Sequence, residues 1–163
     1  MIAGLSITTF TLVHVVISLI AILSGFVVLK GLLASRHFPG WTALFLAFTA
    51  ATSLTGFMFP FSGMTPAIAT GIVATLVFIP TAAALYLFRL QGAWRWIYTC
   101  GAVLSLYLNV FVLIVQSFQK IPTLNVFAPT GSEPPFAITQ AIVLVAFVAL
   151  GLLGVRRFRP GAT

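Results

Sequence analysis

The sequence predicts an all-α membrane protein, a polytopic bundle of five transmembrane helices with the amino terminus outside and the carboxyl terminus inside. Three observations predict it. Of the 163 residues, 61% are hydrophobic and only 6% charged, whereas a soluble domain carries about 25% charged residues to hydrate its surface. Five apolar runs each approach the roughly 20 residues that a helix needs to cross a hydrocarbon core of about 30 Å. The basic residues fall into alternate connections, as cytoplasmic loops require. The runs consume most of the length, so a single transmembrane domain over residues 1–163 is expected, with no sizeable aqueous unit.

The first span is predicted at 7–29, inside "TLVHVVISLIAILSGF" and its flanks. No basic segment precedes it, and it is longer than a signal-peptide core, so it is expected to remain as a mature membrane helix. The connection "KGLLASRHFPG" leads to the second span, 41–59, whose threonines and serine dilute the apolar signal. "FPFSGMTP" ends it, because Pro60, Gly63 and Pro66 break helices. The third span covers 67–88 and contains Pro80, which removes one backbone hydrogen bond and predicts a kink. After "RLQGAWRW" comes the fourth span, 97–118, then the proline-rich "KIPTLNVFAPTGSEPPF", the fifth span at 137–155 and the tail "RRFRPGAT".

Charge placement tests this count. Lys30 and Arg36 follow the first span, Arg89 and Arg95 the third, and Arg156, Arg157 and Arg159 the fifth. Seven of the eight basic residues thus share one face; Lys120 and the lone acid Glu133 take the other. A four-helix count would scatter them. The net charge of +7 therefore forms a rim at the inner headgroups, and nucleic acid is excluded as a partner. Trp41, Trp94 and Trp96 fall at the same rim, as interfacial anchors do. No internal repeat is visible. With one cysteine, Cys100, an intrachain disulfide is excluded.

Helices in lipid associate through small residues and interhelical hydrogen bonds, so each should show a small or polar stripe at helical spacing. Thr11, His14, Ser18, Ala21 and Gly25 form one on the first helix. Thr49, Thr52, Ser53 and Gly56 mark the second; Ala67, Gly71 and Thr75 the third; Tyr98, Gly101, Ser105, Asn109 and Gln116 the fourth. These stripes are expected to face a common interior, with the large aliphatics and phenylalanines turned to lipid. His14 then points inward in the outer half of the membrane.

An ionisable residue at such a place suggests a functional site. The simpler reading is a neutral imidazole hydrogen-bonded to threonine, serine or asparagine on a neighbouring helix. A bis-histidine haem within one chain is excluded, since His37 lies about 35 Å further along a helix, at the opposite face. Haem held by His14 with Met58 or Met64, or shared by two copies of His14, stays open, and a copper site from the same residues has thinner grounds. No phosphate loop, HExxH or GxSxG occurs, and no catalytic residue or metal site is predicted.

The stretches "HVVISLIAILSGFVV", "LYLNVFVLIVQSFQKIP" and "APTGSEPPF" resemble those of a group of small bacterial inner-membrane proteins of uncharacterised activity. The resemblance covers nearly the whole chain and implies a bacterial plasma membrane; it implies no cofactor or site.

Two functions follow as expectations. The first is a non-enzymatic accessory or interaction subunit, with the lipid bilayer and other membrane subunits or further copies of itself as partners. The second is binding or transport of a small apolar ligand, such as a quinone, lipid or haem, in a pocket open to the outer half of the bilayer. His14, Ser18, Asn109, Gln116 and Glu133 are its candidate ligand-binding residues, with Phe59, Phe61, Phe127 and Phe136 as aromatic lining.

Overall fold

The computed structural model describes residues 1–60 and 63–159. Among them the chain is helical without strands: α1 (Ile7–Leu33), α2 (Pro39–Phe57), α3 (Pro66–Tyr86), α4 (Trp94–Lys120), the short α5 (Pro122–Asn125) and α6 (Pro134–Arg157). All but α5 are long and apolar enough to cross a membrane, which makes this a multi-pass membrane protein. Each spanning helix overlaps its predicted segment, with ends displaced by a few residues.

Local chemistry sets those ends. Ser6 caps α1 by accepting the Thr9 amide at 3.1 Å, and Thr65 caps α3 by accepting the Ile68 amide at 3.3 Å. Prolines open α2, α3, α5 and α6, where a missing amide hydrogen costs nothing. The first helix runs on to Leu33, past the predicted end at residue 29. It closes when the Arg36 amide bonds the Gly31 carbonyl at 2.8 Å, around Ser35 at φ 54°. A β-carbon on Gly31 would stand 2.7 Å from the Arg36 carbonyl oxygen, so this turn requires glycine. The helix α5 lies inside a connection that its prolines had marked as loop; Pro122 starts one turn and the chain leaves it at Val126.

Four helices close a square: α1 packs on α2 and α4, α2 on α3, and α3 on α4. α6 lies outside the square against α4 and α1. Its buried residues Gln140, Phe147 and Gly154 recur at seven-residue spacing, a single seam of the coiled-coil kind. The Arg159 amide donates to the Ser35 hydroxyl at 2.9 Å, which brings the described C-terminal end beside the turn after α1. The seven basic residues of that end are therefore gathered at one pole of the bundle.

Small residues set the closest approaches, as expected, but the interior is not made of them alone. A β-carbon on Gly25 would meet Leu106 at 2.6 Å and Phe45 at 2.9 Å. Phe45, Tyr98, Leu106 and Phe158 are each no more than 1% exposed, so phenylalanine and leucine fill the interior instead of facing lipid alone. A glycine on one helix makes room for a large side chain from the next, and dispersion contacts hold the bundle. On α3 the predicted stripe is only partly inward: Ala67 is exposed, Gly71 and Thr75 are half-buried with Gly71 against the Phe57 ring of α2, and the fully buried positions are Thr81 and Ala84 further along.

Candidate functional site

His14 is half-buried on α1, and its Nδ1 lies 2.6 Å from the Thr55 hydroxyl of α2. Thr55 Oγ1 also donates to the Ala51 carbonyl at 2.7 Å. With its one proton committed there, the hydroxyl accepts from His14 Nδ1–H. The ring stands edge-on to Phe59, with centroids 5.3 Å apart, and Phe59 stands edge-on to Phe10 at 5.0 Å. Across the ring, the β-position of Gly56 is 3.7 Å from His14 Cε1. Even a β-carbon there would be in ordinary contact with the ring.

The other candidates do not converge on it. Ser18 turns back along its own helix, donating to the His14 backbone carbonyl at 2.8 Å. Asn109 reaches α2 from α4, its Nδ2 donating to the buried Thr49 hydroxyl at 3.4 Å. Gln116 is half-buried, two turns or about 10 Å from Asn109, and makes no hydrogen bond with the described residues. Glu133 stays in its loop, where its carboxylate accepts from the Thr130 amide at 3.0 Å, the Thr130 hydroxyl at 2.9 Å and the Ser132 amide at 3.1 Å. Those bonds, led by that from the Thr130 backbone, hold the carboxyl well below its ordinary value, at about 2.

The aromatics expected around a pocket also separate. Phe59 touches His14, Phe136 packs edge-on to Phe118 at 5.6 Å, and Phe127 is exposed. Phe61 lies outside the described residues. Met58 and Met64, the candidate second ligands for haem, are 46% and 74% exposed. Among the described residues no three of His, Cys, Asp and Glu gather at metal-binding distance.

Other polar contacts, unmarked by the sequence reading, join the helices. Gln140 of α6 donates from Nε2 to the Phe111 carbonyl of α4 at 3.2 Å, while its Oε1 is buried without a partner. The Tyr98 hydroxyl lies beside Thr42 without completing a hydrogen bond. Arg95, in the first turn of α4, donates from Nη1 to the carbonyls of Val155 (3.3 Å) and Phe158 at the end of α6, satisfying acceptors that a helix end leaves open. Two apolar grooves open on the bundle surface. One runs between α4 and α6 from Tyr107 and Leu144 to Cys100 and Val155; the other lies between α3 and α4 beside Val73 and Phe111. His14 lines neither.

Such a fold and set of polar pairs define a helical membrane bundle whose interior polar groups bridge its helices. Neither a family model, nor a curated protein, nor a solved structure matches the chain.

Proposed function

We propose that this chain is a non-enzymatic integral membrane subunit that works by associating with other membrane chains or with copies of itself. The observation that carries the reading is how its intramembrane polar groups are used. His14, Asn109 and Gln140 each reach another helix of the same chain. Such bonds, worth on the order of 0.6 kcal/mol each in lipid, favour a fixed scaffold. The outer faces of α3 and α6 carry a run of exposed aliphatics, including Ile72, Leu76, Ile142 and Val145, which gives a neighbouring helix area to pack on. In this reading the basic pole faces the cytoplasm of a bacterial plasma membrane and the His14 half faces outward, as the positive-inside rule directs.

Extraction in mild detergent tests the proposal. A stoichiometric partner or a defined homo-oligomer is expected, and a lone monomer with measurable turnover would overturn it.

A further inference from the structure

We propose that the groove between α4 and α6 is a binding site for an anionic phospholipid, one acyl chain lying in the groove and the phosphate resting on Arg156 and Arg95. The groove has a volume of about 270 Å³ and is walled by Val103, Tyr107, Phe147 and Val155, with Cys100 and Gly151 leaving the space open. A β-carbon on Gly151 would already be in ordinary contact with Val103, at 3.6 Å.

Its length selects the occupant. From Leu144 to Val155 the groove follows about 16 Å of helix, close to one leaflet, half of a hydrocarbon core of about 30 Å. A transmembrane helix from a partner would need a groove crossing both leaflets; an acyl chain needs one. The groove also ends where a headgroup would lie. Leu152 lines it, and Arg156, one turn on, continues the same face out of the membrane; Cys100 lines it, and Trp96, one turn back, does the same on α4. Arg156 and Trp96 are both exposed, and tryptophan at that level anchors to headgroups.

Arg95 stands at the same end. Its guanidinium has five N–H donors, and only Nη1 is committed, to Val155 and Phe158. Nε and Nη2 make no hydrogen bond with the described residues, which leaves donors for a phosphate. The charge is complementary. Seven basic residues share this pole, and the chain's one acid, Glu133, is at the other.

The test reconstitutes the full chain in vesicles of equal parts phosphatidylglycerol and phosphatidylcholine, extracts it in mild detergent and reads retained lipid by native mass spectrometry. One phosphatidylglycerol per chain is expected, in preference to phosphatidylcholine. Arg156→Gln should lower retention about fivefold, the effect of one interfacial cation, and Lys30→Gln, at the same pole but on α1, should leave it unchanged. Gly151→Leu fills the groove and should abolish retention with helix content intact by circular dichroism; if that variant does not insert, the two charge variants decide. Equal retention of both lipids, equal loss in Lys30→Gln and Arg156→Gln, or a protein chain retained in place of lipid overturns the proposal.

Discussion

Replacing Gly101 by alanine tests the packing of the bundle most directly. Gly101 is a tight contact between α4 and α3: an added β-carbon would stand 1.9 Å from the Thr81 hydroxyl oxygen, 3.0 Å from Thr81 Cβ and 3.3 Å from its Cγ2. Ordinary contact begins near 3.4 Å, so the hydroxyl must move by about 1.5 Å. Rotating Thr81 to relieve it breaks the 2.6 Å bond from its Oγ1 to the Val77 carbonyl and still leaves Cβ too close, so the helices must part. Overpacking of this kind costs about 2 kcal/mol. Gly151→Ala is the control, since its new methyl meets Val103 at 3.6 Å and the propensity gain from glycine to alanine cancels in the comparison. Reversible unfolding of the purified protein, with dodecyl sulfate titrated into mild-detergent micelles and followed by circular dichroism, should separate the two variants by about 2 kcal/mol. The double change Gly101→Ala with Thr81→Ala should recover part of the loss, because it removes the 1.9 Å clash with the hydroxyl while the 3.0 Å approach to Cβ remains. If Gly101→Ala proves as stable as Gly151→Ala, the close α3–α4 packing is wrong.

Two further outcomes can be checked. Thr55→Val keeps the shape of the side chain but removes the acceptor for His14; a double-mutant cycle with His14→Leu, read by the same unfolding assay, should give a coupling of about 0.6 to 1.7 kcal/mol, and zero coupling would remove the α1–α2 bond. Glu133 has its carboxyl depressed from 4.5 to about 2, so its bonds to Thr130 and Ser132 contribute fully above pH 4.5 and are lost as pH falls through about 2. The protection of the Thr130 and Ser132 amides, measured as their exchange relative to the intrinsic rate at each pH, should hold down to pH 4 and fall away as pH drops toward about 2, and Glu133→Gln should remove that pH-dependent loss of protection.

The spans were legible in the sequence because lipid imposes a length and a composition that five runs meet. Their depth of packing was less so. A stripe such as Thr11, His14, Ser18 says that one face of α1 is polar, but Ser18 can satisfy itself by bonding back four residues, and only His14 must look to another helix. Periodicity also gives no partner. Thr55 took the imidazole although the stripe assigned to α2, which ran from Thr49 to Gly56, skipped it, and Asn109 found Thr49 on the helix diagonally opposite. Arg95 was read as one more rim charge, whereas it closes the end of α6, a contact that depends on a residue 60 positions away. The groove between α4 and α6 was invisible for a related reason: nothing in the sequence pattern singles out Cys100 and Gly151, whose smallness leaves the groove open only because α6 lies outside the square.

The threonines of α2 explain why the least apolar span is placed where it is. With 19 residues it extends about 28 Å, barely the thickness of the hydrocarbon core, while α1 and α4 with 27 residues reach about 40 Å and extend into the headgroup layer. A short helix flanked by longer ones can slide along its axis, since aliphatic contacts with lipid and protein are nearly equal in energy. Hydrogen bonds have a fixed register. His14 engages α2 near its Phe57 end and Asn109 engages it about 9 Å further along, at Thr49, so a slide of one turn would break both together. Thr52 and Thr55, which also bond to their own backbone, carry little desolvation penalty while they wait for such partners. Polar residues in this span thus fix its height in the bundle, a role that aliphatic side chains of the same volume could not perform.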